Sequence, residues 1–147
     1  MQKRIYLSSP TMHEEEMDYV KEAFERNWVA PLGFNCDGFE NEIASFLNEE
    51  NIHTLALSSG TAALHLAVKH AGETLYGKPA ISHGALEGRR VFCSDMTFAA
   101  TVNPVVYEKA EPVFIDTEYE SWNMDPKCLE KAFSIYPNVK TVVVANL

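Results

Sequence analysis

Residues 55–67, which read LALSSGTAALHLA, constrain the chain more than any other stretch. The apolar run Leu55, Ala56 and Leu57 stops at two serines, a glycine and a threonine, and an alanine- and leucine-rich helical pattern begins at once. That order predicts a strand, a tight turn and a helix start. The unpaired amides of a helix's first turn, together with its dipole, favour an anion placed just before it. Gly60 lets the backbone come close to such an anion, and Ser58, Ser59 and Thr61 add hydroxyls. The same residues also serve as plain helix caps with no ligand.

The 147 residues suffice for a domain with a real core, and a hydrophobic content of 46% is ordinary for a globular chain. A formal net charge of −9 argues against a broad nucleic-acid surface, which needs a dense basic face, but leaves room for one phosphate held by backbone amides. Cys36, Cys93 and Cys128 form no CxxC pair, which fits reduced thiols and a cytoplasmic location. No segment reads as a signal peptide, and no apolar run reaches the roughly 20 residues of a membrane span. Residues 140–147 read as a buried strand running into the last residue, so the chain is expected to be either a truncated piece of an α/β protein or one that ends in a natural terminal strand.

In chain order, Thr11 to Glu14 has the form of a capping box before a helix that carries Met17, Val20 and Phe24 to about Asn27. The apolar loop Trp28, Val29, Ala30, Pro31, Leu32, Gly33 is either a packed hinge or the wall of a ligand site or subunit contact. Asn35 to Asp37 offer caps for a second helix, with Phe39, Ile43, Phe46 and Leu47 on one face. Strands are expected at 53–57, 90–93, 112–115 and 141–145. Helical patterns between them start at Gly60 and end near Gly72, run over 99–107 with Pro104 at an early turn or a kink, and follow the Asp125-Pro126 start. His65 reads as a structural residue of its helix. Residues 73–89 read as a loop.

Alternating strands and helices predict a mostly parallel α/β sheet, an incomplete three-layer α/β/α sandwich. Residues 1–50 are expected to be an N-terminal helical segment with the apolar loop, and 51–147 the first part of a larger α/β domain. In such sheets ligands sit beyond the carboxyl ends of the strands, here Ser58–Thr61, Ser94–Phe98 and Asp116. A phosphate at Gly60 and Thr61 with a flat ring against Phe98 is a consistent pairing, although Phe98 could equally be core. Asp95 and Asp116 read as turn caps. The GxGxxG and GxxxxGK[ST] fingerprints, HExxH, paired Cys/His ligands and GxSxG are all absent, so no dinucleotide, triphosphate, metal or hydrolase-elbow site is indicated.

Four segments together, at 28–33, 59–67, 97–104 and 112–116, resemble the DegT/DnrJ/EryC1/StrS family of sugar aminotransferases, which use pyridoxal 5′-phosphate on the fold-type-I scaffold. The resemblance implies that Gly60 and Thr61, with Ser59, hold the cofactor phosphate, and that Phe98 stacks on the pyridine ring. It implies that Trp28, Pro31, Leu32 and Gly33 line the substrate entrance or a dimer contact. The implied substrate is a nucleotide-linked keto sugar of the UDP-4-keto-hexose type, with glutamate as amino donor and a homodimer as the full-length state. The family's cofactor-linking lysine and its pyridine-pairing aspartate have no matching position here. Lys69, Lys109 and Lys140 do not stand in the family motif, so the chain alone is expected to be inactive. Two alternatives are a non-catalytic binding or regulatory module on the same scaffold and an unrelated α/β phosphosugar binder.

Overall fold

The structure is a computed structural model that describes residues 4–6, 9–48 and 51–147. The chain forms two compact units, Met1–Ala56 and Leu57–Leu147. The division falls after Ala56 rather than after residue 50 because residues 54–56 are tied back to the first unit. The Thr54 hydroxyl donates to the Glu40 carbonyl, and the Ala56 amide donates to the Glu40 carboxylate at 2.7 Å.

The first unit contains α1 (Glu16–Glu25) and α2 (Phe34–Leu47). The expected capping box at Thr11 does not form. Glu14 lies at φ 81°, outside the helical region, and the His13 amide donates instead to the Glu16 carboxylate at 2.8 Å. The helix therefore starts at Glu16. It ends where Asn27 takes the left-handed conformation at φ 59°. The expected caps Asn35 and Asp37 lie inside α2, and the Asn35 amide donates to the Tyr19 carbonyl of α1 at 3.4 Å. Neither helix buries a residue.

The second unit holds a three-stranded parallel sheet in the order β2-β1-β3, with β1 at Arg90–Ser94, β2 at Glu111–Ile115 and β3 at Val142–Val143. The register pairs Arg90 with Glu111 through Ser94 with Ile115, and Phe92 and Cys93 with Val142 and Val143. Alternation along β1 sends Val91 and Cys93 to one face and Phe92 to the other. On the first face they meet Val68, Leu86, Val105, Ala110 and Val143, packed by α3 (Gly60–Tyr76) and α4 (Asn103–Tyr107). On the second face Phe92 meets Ile115, Met124, Val139 and Ala132 of α5 (Pro126–Ile135). The result is helix, sheet and helix in three layers, the architecture expected from the alternating pattern.

Several boundaries differ from the sequence expectation. Residues 53–57 pair with no strand among the described residues, because the backbone around Thr54 and Ala56 is held by Glu40 rather than by a ladder partner. The last strand is confined to Val142 and Val143. Helix α3 runs past Gly72 to Tyr76 and stops at Gly77, whose φ of 86° suits glycine. Gly72 sits mid-helix because a Cβ there would lie 2.8 Å from the Cβ and carbonyl oxygen of Ala85. Pro104 falls in the first turn of α4, where its missing N–H costs nothing, so the helix is not kinked. Asp125 caps α5 as expected, accepting from the Lys127 amide at 2.8 Å. No described helix is long and apolar enough to cross a membrane.

Gly84 marks the tightest approach in this unit, since an added Cβ would run into the Glu108 carbonyl and its carbon. Backbone cannot yield as a flexible side chain can. Gly84→Ala should therefore cost about 2 kcal/mol, a typical overpacking penalty, and thermal unfolding should show the midpoint falling by several degrees. An unchanged midpoint would show that the 84–86 segment does not press on Glu108.

Candidate functional site

Helix α3 is the longest element, and Ser59 caps it with extended backbone. Four amides at a helix start lack helical partners, here those of Ser59, Gly60, Thr61 and Ala62. The Ser59 hydroxyl accepts from Ala62 at 3.2 Å, and the Ser59 carbonyl takes the next amide, that of Ala63, at 3.1 Å. The amides of Ser59, Gly60 and Thr61 donate to no described residue. Nothing lies within 4 Å of where a Gly60 Cβ would be, so the approach to these amides is open. No acidic residue occupies the first turn to oppose an anion. These features fit a phosphate.

Phe98 precedes a short 3₁₀ turn, Ala99–Thr101, and its ring is 82% exposed rather than core. The Thr97 and Thr101 hydroxyls are 2.7 Å apart across that turn. The turn packs against α3. Leu64 of α3 and Val102 just after the turn lie against the same apolar core. Helix α3 and the turn that follows Phe98 therefore belong to the same helical layer of the sheet. Strand β1 is followed by α4 on one face and β2 by α5 on the other. Crevices open where neighbouring connections part in this way. A cleft of about 340 Å³ lies there, lined by Asp95, Met96, Asp116, Thr117, Tyr119 and Trp122. Asp116 also caps locally, accepting from the Thr117 amide at 2.8 Å.

What holds α3 in place was not legible in the sequence. His65 Nε2 lies 2.7 Å from Glu108 Oε1, and the other Glu108 oxygen accepts from the Ala85 amide at 2.6 Å. Glu108 is 6% exposed. Burial pushes its carboxyl up, but the Ala85 amide and His65 outweigh that and hold it below its ordinary 4.5. The residues are 43 positions apart, and neither belongs to a recognisable motif with the other. Only the fold makes them neighbours.

Trp28, Pro31, Leu32 and Gly33 belong to the first unit. The Trp28 ring stands 4.9 Å from that of Phe34 and 5.3 Å from the Arg26 guanidinium. Gly33 lies against it, since a Cβ there would approach the Trp28 Cβ to 3.3 Å. Leu32 projects outward, 81% exposed. Trp28 thus packs within its own unit, and Leu32 leaves an apolar side chain exposed. Among the described residues no group of His, Cys, Asp and Glu could hold a metal ion.

The DegT/DnrJ/EryC1/StrS aminotransferase family model matches residues 10–147. EpsN of Bacillus subtilis, provisionally named a pyridoxal phosphate-dependent aminotransferase, is 46% identical over 132 residues, which are 90% of this chain and 30% of its own. GDP-perosamine synthase of Escherichia coli O157:H7 is 30% identical over 145 residues, 99% of this chain and 35% of its own. Among solved structures, Spr1654 of Streptococcus pneumoniae, provisionally named a sugar aminotransferase and solved in its PLP form, matches with a TM-score of 0.68 at 25% identity. That match covers 88% of this chain and 29% of Spr1654. The chain spans about a third of the length of the curated relatives it matches.

The Glu108 geometry sets a pH dependence. Because the folded carboxyl ionises more readily than the unfolded one, its contribution to stability is present above pH 4.5 and is lost as pH falls through the lowered folded value. Urea unfolding between about pH 6 and pH 3 should show stability dropping with acid, and the slope should flatten in Glu108→Gln. An equal slope in that variant would assign the acid sensitivity to other carboxylates.

Proposed function

The chain belongs to the DegT/DnrJ/EryC1/StrS aminotransferase family, and from that membership we propose that it forms the cofactor-phosphate side of an aminotransferase acting on a nucleotide-linked keto sugar. Pyridoxal phosphate is the cofactor of this family. The observation that carries the reading is the start of α3, where three amides without described partners and an open glycine stand on a helix that packs against the turn following the exposed Phe98. A cofactor with a phosphate at one end and an aromatic ring at the other fits that pairing.

In this reading the Ser59, Gly60 and Thr61 amides and the Thr61 hydroxyl bind the phosphate dianion. The α3 dipole adds to the attraction. Phe98 offers a flat apolar surface that excludes water from one side of the ring and fixes its plane. The bound cofactor supplies the electron sink for amino transfer. Trp28, Pro31, Leu32 and Gly33 line the substrate entrance or a contact between subunits of a homodimer. The substrate is of the UDP-4-keto-hexose type and the amino donor is glutamate. The relative that makes GDP-perosamine supports a nucleotide-linked sugar as the class. Lys69, Lys109 and Lys140 stand outside the family motif for holding the cofactor, so residues 1–147 alone bind without turnover.

Equilibrium titration of the purified chain with pyridoxal 5′-phosphate and with pyridoxal, which lacks the phosphate, tests this. The phosphorylated form should bind more tightly, and Thr61→Val should weaken it by about tenfold while leaving pyridoxal unchanged, the loss of one hydrogen bond to a charged group. Equal binding of the two ligands by the unsubstituted chain would end the cofactor reading.

A further inference from the structure

We propose that the His65–Glu108 pair is a positioning device for the phosphate cradle, setting the rotation and the height of α3 so that the Gly60 and Thr61 amides converge on one anion. The inference rests on the cofactor reading above. Helix α3 is anchored at two points about two turns apart. At His65 it is held by the Glu108 carboxylate, and at Gly72 it is pressed against Ala85. Both anchors converge on one rigid hub. The second Glu108 oxygen takes the Ala85 amide at 2.6 Å, the Glu108 carbonyl takes the Leu86 amide at 3.3 Å, and Gly84 abuts that same carbonyl. Tyr107 presents an edge to the His65 ring at 5.3 Å and limits its swing.

The chemistry of the pair argues for registry over bulk stability. The surrounding core is apolar, built on Val68, Leu86 and Val105 with Leu64 and Val102 against it. A polar pair at the rim of such a core is weak evidence of stabilisation, since a hydrophobic pair of similar volume often packs as well. Apolar contacts tolerate sliding, whereas a 2.7 Å bond to a doubly held carboxylate does not. His65 lies a little over one turn from the cradle, so a small rotation of α3 there redirects the Thr61 hydroxyl and the free amides. Misplacement of this kind is costly for ligand positioning far out of proportion to its size.

The test uses the full chain and the same two ligands. His65→Ala and Glu108→Ala should each weaken pyridoxal 5′-phosphate binding by about tenfold, as loss of outer partners that orient direct ligands does elsewhere, and should leave pyridoxal binding unchanged. Glu108→Gln, which keeps an acceptor for the Ala85 amide and a side-chain amide beside the His65 ring, should retain most of the affinity. Val68→Ala, which loosens the packing of α3 without touching the pair, should lower the unfolding midpoint yet keep the preference for the phosphorylated ligand. His65 is partly exposed, so its variant carries the test if Glu108→Ala fails to fold. Undiminished affinity in His65→Ala, or an equal loss in Val68→Ala, would overturn the positioning role alone. A wild-type chain with no preference between the ligands would overturn it together with the cofactor reading.

Discussion

The buried carboxylate of Glu108 is the contact on which the second unit depends. It sits at the end of α4 with both oxygens used, one on His65 of α3 and one on the Ala85 amide. A buried charge is tolerated only when it is paired and hydrogen-bonded, and removing either partner leaves it exposed to a low dielectric without compensation. The three segments it joins are therefore fixed as a set. The segment after α3 cannot drift, because its Ala85 amide would lose an acceptor while Gly84 is already in backbone contact with the same residue. The loop expected at 73–89 is accordingly a structured return, with α3 running to Tyr76 and turns beyond it.

Strand β1 does for the sheet what Glu108 does for one helical layer. Its three central residues, Val91, Phe92 and Cys93, are fully buried, and their alternation feeds both cores. Burial holds the Cys93 thiol up at about 11, well away from reactive thiolate chemistry, so it acts as a small core residue. With β2 on one side and β3 on the other, β1 is paired along both edges, and its carboxyl end opens between connections that leave toward opposite faces. The residues that follow it, Asp95 to Phe98, stand at the carboxyl-end rim of the sheet by topology alone.

What could be read from the sequence follows from how local each determinant is. Asp125 and Pro126 specify a helix start through their own backbone geometry, and the structure places them so. The alternation of strands and helices, and hence three layers, was legible from apolar periodicity. The Thr11 box failed because a capping signature is only a local option, and the bond from His13 to Glu16 won a competition among several carboxylates in that run. Gly72 looked like a helix stop because glycine usually is one; its reason here is Ala85, thirteen residues on, which no window reveals. The strand at 53–57 had the right composition and no pairing partner among the described residues. His65 looked like a structural residue of its helix, and its partner 43 positions away is a property of the fold.

The start of α3 shows why cap and cradle were hard to separate in sequence. Ser, Gly and Thr are favoured at a helix start for capping and are also the residues that hold anions, so composition cannot tell the roles apart. The geometry divides the amides between them. The Ser59 hydroxyl is spent on Ala62, which stabilises the first turn, and the amides before it stay free of described partners. A cap of this kind stiffens the turn whose remaining donors face outward, so it lowers the entropy lost when an anion is bound there. In the proposed cofactor reading the capping serine acts for the cradle whether or not its own hydroxyl touches the ligand.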